Sequence, residues 1–87
     1  MDPGFLMEQM EWRENLDELR QAENPRKDLA ELANRIERRL QDKIAEFRQA
    51  YAENTPAGNS RARSAVREMQ FLQKLRREID SFEEELT

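Results

Sequence analysis

The chain of 87 residues contains no cysteine and no histidine. Without cysteine, neither a disulfide nor a thiolate-bound metal can stabilise the fold. Without histidine, the chain lacks the commonest metal ligand and the commonest general base. It also lacks a glycine-rich phosphate-binding loop. We therefore expect no catalytic residue, no metal ligand and no cofactor, and we interpret the chain as a binding protein rather than an enzyme.

Glycine, proline and long apolar runs are scarce as well. The chain has two glycines and three prolines, whereas 39% of its residues are charged. This composition is typical of a helical bundle, because the apolar residues recur too regularly for a disordered tail. No segment approaches the roughly 20 apolar residues that a membrane span requires. We also find no positively charged segment followed by an apolar segment, which is the pattern of a secretory signal. We therefore expect no secretory signal, no membrane association and a cytoplasmic location.

The acidic charge is concentrated at the start of the chain. The net charge is −4, and residues 1–23 contain seven acidic and two basic side chains. Residues 24–53 carry a net charge of +1, and residues 54–87 are neutral. Nucleic acid demands a basic surface, so this acidic first segment argues against a nucleic-acid partner.

The sequence predicts a single all-α domain with three helices, over about residues 3–22, 25–53 and 60–86. Asp2-Pro3 and Asn24-Pro25 each supply an N-cap followed by a proline at the start of a helix. Residues 54–59 contain proline, glycine and asparagine and are predicted to form the loop before the third helix, near Ser60. The six-residue connection between the second and third helices favours their antiparallel packing. The capped breaks and the regular apolar stripes favour a three-helix bundle over the alternative, one long coiled coil.

Each predicted helix carries a stripe of apolar residues at three-and-four spacing, which indicates the face that packs in the core. In the first helix the stripe is Phe5, Trp12, Leu16 and Leu19. In the second it is Leu29, Leu32, Ala33, Ile36, Leu40, Ile44, Phe47 and Tyr51. In the third it is Ala65, Met69, Leu72, Leu75, Ile79, Phe82 and Leu86.

The first helix also carries a second apolar stripe that the bundle does not need. At about 100° per residue, Leu6, Met7 and Met10 point away from the core stripe. Phe71 lies at the edge of the core stripe of the third helix and can join them if the two helices are neighbours. The flanking charged residues Glu11, Arg13, Glu14 and Asp17 would form a polar rim.

Three occupants fit this second stripe on periodicity alone. An external partner could cover it, a missing part of the same polypeptide could pack on it, or a second copy could form a homodimer seam.

We interpret charge runs such as Glu83-Glu84-Glu85 as a solvated face rather than a metal site.

Two segments resemble a known family. Residues 5–14 read Phe-Leu-Met-Glu-Gln-Met-Glu-Trp-Arg-Glu and residues 16–18 read Leu-Asp-Glu. Residues 66–76 read Val-Arg-Glu-Met-Gln-Phe-Leu-Gln-Lys-Leu-Arg. Together they resemble the C-terminal domain of the HscB family, the J-type co-chaperones of bacterial iron–sulfur cluster assembly.

The resemblance implies a three-helix bundle that binds the cluster scaffold protein IscU and presents it to the specialised Hsp70 HscA. It implies that the scaffold-binding residues are Leu6, Met7, Met10, Glu11, Arg13, Glu14 and Phe71. A family member stimulates its Hsp70 through the His-Pro-Asp motif of an N-terminal J domain. This chain has no histidine, so we expect it to lack the J domain, to bind the scaffold and not to stimulate the Hsp70. We also expect a monomer. The alternative is a self-associating helical module with a homodimer seam on the first helix.

Overall fold

The computed structural model describes residues 2–87 and contains three helices, α1 (Pro3–Arg20), α2 (Arg26–Ala52) and α3 (Pro56–Glu85). At 1.5 Å per residue they are about 27, 40 and 45 Å long. No strand occurs among residues 2–87. The all-α three-helix bundle is therefore confirmed.

The shorter α1 lies against only part of a long α2–α3 hairpin. Phe5 contacts Phe71, and Arg13 contacts Glu78, so α1 and α3 run parallel in an up-down-up arrangement. Because Phe5 is near the start of α1 and Phe71 is midway along α3, α1 covers the half of the hairpin that contains the start of α2 and the end of α3. The other half, next to the α2–α3 turn, is only two helices thick.

The first turn of α1 is fixed to the hairpin by the fully buried ring of Phe5. This ring makes edge-to-face contacts with Trp12 and Phe71, at centroid distances of 5.8 and 6.1 Å. Two cations from α2 also approach it, with Arg39 at 5.9 Å and Lys43 at 5.0 Å from its centroid. Aromatic and cation–π contacts add to the free energy that burial of the ring supplies.

Ion pairs between helices surround this anchor. Arg39 donates to both carboxylate oxygens of Glu8, at 3.0 and 2.9 Å. The hydrogen bond to Glu8 raises the pKa of Arg39 above its ordinary value. Lys43 pairs at 3.2 Å with Glu68 of α3, and both side chains are buried. Helical spacing does not predict either pair, because each joins side chains on two different helices.

The first two helix starts differ in their capping. The side chain of Asp2 accepts from the backbone N–H of Gly4 at 3.4 Å, which confirms the predicted N-cap of α1. The predicted cap of α2 at Asn24 is wrong: the N-cap is Pro25, which has no side-chain capping bond, and α2 begins at Arg26. The ends of all three helices lie within two residues of their predicted positions.

The third helix begins at Pro56, four residues before the predicted start near Ser60. Asn54 adopts a left-handed backbone with φ of 52°, which ends α2. Thr55 then caps α3, and its hydroxyl accepts from the N–H of Gly58 at 2.9 Å. Thr55-Pro56 is thus the same cap-and-proline signal that begins α1. Reading this proline and glycine as loop residues was the error.

The core stripe of α1 is confirmed, since its apolar residues are buried. The α3 stripe is confirmed at Ala65, Leu72, Leu75, Ile79 and Phe82, whereas Met69 and Leu86 are half-buried. The α2 stripe is confirmed only in its first half. Leu40 and Phe47 are half-buried, and Tyr51 is 66% exposed. Leu40 packs against the edge of the core. The buried residues of the second half of α2 are Lys43 and Ala50. Phe47 and Tyr51 lie around the helix from them, on a side of the hairpin that α1 does not cover.

The close approach of Gly58 to α2 gives a stability prediction. A Cβ on Gly58 would lie 2.5 Å from the backbone oxygen of Ala50, which cannot move aside easily. We expect Gly58→Ala to lower the free energy of unfolding by about 1–3 kcal/mol, measured by urea denaturation. The matched control is Gly4→Ala, whose Cβ meets only the side chain of Asp2 at 3.3 Å. That variant should be neutral or more stable, by up to about 1 kcal/mol. Equal free energies of unfolding for Gly58→Ala and Gly4→Ala would contradict the close packing of Gly58 on Ala50.

Candidate protein-docking site

Three large apolar side chains of α1 face solvent. Leu6 is 50% exposed, Met7 65% and Met10 68%. Leu6 and Met10 are separated by one helical turn and are neighbours on the helix surface. Met7 lies between them in the chain and extends the apolar area around the helix. We call Leu6, Met7 and Met10 the α1 patch.

Phe71 adjoins this patch from α3. It is half-buried, because one edge of its ring packs on Phe5. Its exposed side lines a shallow open groove of about 510 Å³, together with Gln9, Met10, Arg13, Glu14 and Asp17. The structure therefore brings Phe71 and Met10 to one surface, although they are far apart in the sequence.

The charged residues predicted as a rim differ in their environment. Glu11 and Glu14 are exposed on the outer side of α1. Arg13 instead contacts α3, with its guanidinium 2.6 Å from a carboxylate oxygen of Glu78 and 5.7 Å from the centroid of Phe71. Arg13 thus fastens α1 beside Phe71, while the two glutamates are free to meet another molecule.

Gln9 is a member of this groove that the sequence analysis did not select. It is half-buried and lies one helical turn before Arg13. Its spacing of four residues from Arg13 is the sequence signal that places it on the same side of α1.

The chemistry of this surface is that of non-covalent contact. Among residues 2–87, no group of three or more acidic side chains is placed to hold a metal ion. No helix of the described chain is long and apolar enough to cross a membrane. Methionine side chains are flexible and polarizable, so Met7 and Met10 can adapt to the shape of an apolar partner surface.

Comparisons with known proteins identify a family and several relatives that resemble this chain. A family model described as the HscB C-terminal oligomerisation domain matches residues 1–80. A co-chaperone protein HscB homolog of Pseudoalteromonas atlantica is 36% identical over 86 residues, which is 99% of this chain and 49% of the relative. The Shewanella halifaxensis homolog is 32% identical over 98% of the chain and 49% of its own length. For Bordetella avium the identity is 37%, over 91% of the chain and 44% of the relative.

No solved structure matches the chain significantly. The chain spans about half the length of the curated relatives it matches. The fold and the exposed α1 patch define the class as a helical domain with an apolar surface outside its core. The chain belongs to the family of HscB C-terminal domains.

The structure separates buried core residues from the exposed residues of the α1 patch, which gives a second prediction. Leu72 is fully buried, so Leu72→Ala should lower the free energy of unfolding by about 2–5 kcal/mol. Leu6→Ala removes a half-exposed side chain and should cost less than about 1 kcal/mol. Thermal denaturation followed by circular dichroism compares the two. A large loss at Leu6 would mean that this residue belongs to the core.

Proposed function

We propose that this domain binds an iron–sulfur cluster scaffold protein of the IscU type through the α1 patch and Phe71. In the longer co-chaperone, it then presents the scaffold to a specialised Hsp70 of the HscA type. The observation that carries the proposal is the exposure of Leu6, Met7 and Met10, three large apolar side chains on one helix that the bundle leaves uncovered.

Apolar burial supplies the affinity in this proposal. The α1 patch and Phe71 would bury a few hundred square ångströms of surface, which fits a small and transient interface (below about 1,200 Å² in total). A transient contact suits a chaperone that must release its client. The relatives named above are co-chaperones, and this role supports a binding domain of this kind.

Charge sets the orientation and the rate of association. Glu11 and Glu14 are exposed beside the apolar side chains and can meet basic groups of the scaffold. Replacing either glutamate should slow association at low ionic strength and have little effect at high salt. Arg13 acts differently, because its contacts with Glu78 and Phe71 hold the groove in shape.

The Hsp70 contact belongs to the J domain of the complete co-chaperone in this proposal, and the chain itself catalyses no reaction. Its expected location is the cytoplasm, where the scaffold and the Hsp70 operate.

The test is a calorimetric titration of the domain with purified IscU-type scaffold. The variant Leu6→Ala, Met7→Ala, Met10→Ala should keep its helical content and lose at least about tenfold in affinity, since each anchor contributes about 1–3 kcal/mol. The matched control is Tyr51→Ala, because Tyr51 is equally exposed but lies on α2, away from α1. Undiminished affinity in the triple variant would overturn the proposal.

Phe71 needs a separate measurement, because it also contacts Phe5. Phe71→Leu keeps an apolar side chain on Phe5, so the variant should remain folded. It should bind the scaffold more weakly, because the aromatic ring is lost from the groove. The description of the family model mentions oligomerisation, so sedimentation equilibrium accompanies the titration. We expect a monomer that forms a one-to-one complex with scaffold. A free dimer that dissociates in the triple variant would favour a homodimer seam on α1.

A further inference from the structure

We infer that the domain has a second docking surface, which takes an acidic protein segment with an aromatic or leucine side chain at its centre. This surface lies on the two-helix half of the hairpin and does not depend on the function proposed above. It is formed by Phe47 and Tyr51 of α2 and by Ala62, Arg63, Val66 and Arg67 of α3, and we call it the hairpin face.

The hairpin face is turned away from α1. Val66 precedes Phe71 on α3 by five residues. It therefore lies roughly 140° around the helix from Phe71, which contacts α1. The α1 patch and the hairpin face are thus separate surfaces of the molecule. A partner on one leaves the other accessible.

An exposed aromatic stack forms the apolar floor of the hairpin face. The rings of Phe47 and Tyr51 are nearly parallel, at 17°, with their centroids 5.8 Å apart. Beside them is an open groove of about 510 Å³ that reaches to Ala62 and Val66 of α3. A groove of this size accommodates a large apolar side chain. Tyr51 is 66% exposed, which is unusual for an aromatic residue within an apolar stripe.

The charges around this groove are of one sign. Arg63 and Arg67 line it, and no acidic residue does. Arg48 lies one turn from Tyr51 on α2. The side chains of these three exposed arginines make no hydrogen bond or ion pair within residues 2–87. Nearby Arg61 is different, since it pairs with Glu53.

Unpaired arginines beside an aromatic floor specify the occupant. Carboxylates of a partner would form ion pairs with these arginines, and an apolar side chain between the carboxylates would fill the groove. Nucleic acid is a poorer fit, because the chain as a whole carries a net charge of −4 and begins with an acidic helix. A second copy could offer its acidic α1 surface, where the contact would compete with a partner of the α1 patch. That contact would be head-to-tail and open-ended, and it would cover the α1 patch.

The test uses the domain and a fluorescent peptide, acetyl-Glu-Glu-Phe-Glu-Asp-Leu-Leu-Glu-Glu-amide, at low ionic strength. We expect saturable binding by fluorescence anisotropy, with NMR shift changes at Tyr51, Val66 and Arg67. The charge reversal Arg63→Glu, Arg67→Glu should weaken binding by at least about tenfold. Tyr51→Ala should weaken it about fivefold or more. Both variants change exposed residues, and circular dichroism verifies that they remain folded.

The matched control reverses two other exposed arginines of the same charge, Arg35→Glu and Arg38→Glu, on the opposite side of α2. It should change the affinity less than about twofold. Equal losses in the two double variants would show non-specific charge attraction and overturn the inference. So would shift changes confined to the α1 patch, tighter binding of a single-stranded RNA homopolymer, or self-association that the Arg63 and Arg67 reversals abolish.

Discussion

The burial of Phe5 between the two long helices is the contact on which the surface of this domain depends. It places the start of α1 midway along the hairpin, against Phe71 and beneath the cations of Arg39 and Lys43. The side chains that follow Phe5 then have a fixed direction, so the α1 patch faces solvent. Because the same ring supports one edge of Phe71, a single buried residue orders both helices of the proposed docking site.

Buried charge accompanies this anchor and restricts how the helices can pair. The Lys43–Glu68 pair joins α2 and α3 at the level where α1 begins, and one carboxylate oxygen of Glu68 has no hydrogen-bond partner among residues 2–87. A buried ion pair adds little net stability, because desolvation offsets the attraction. A shift of either helix would separate the two charges, so the pair disfavours other registers of the hairpin.

Helical spacing alone was sufficient to predict three helices, the core stripe of α1 and the exposed α1 patch. It could not predict how far α1 extends along the hairpin, since that depends on which residues of α2 and α3 meet Phe5. It also predicts Tyr51 as a core residue, whereas the buried side chains at that end of α2 are Lys43 and Ala50, and Tyr51 lies on the hairpin face. The start of α3 was predicted too late because Pro56 and Gly58 suggest a loop, whereas Thr55 caps a helix there and Gly58 allows close packing on α2.

The central claim is that the α1 patch is the surface that contacts the scaffold. The most direct measurement is NMR of carbon-13-labelled methionine methyl groups during titration with purified IscU-type scaffold. Met69 is half-buried on α3, away from the patch, and serves as an internal reference. We predict that the methyl signals of Met7 and Met10 shift or broaden while that of Met69 is unchanged. A shift at Met69 with unchanged signals from Met7 and Met10 would contradict the account.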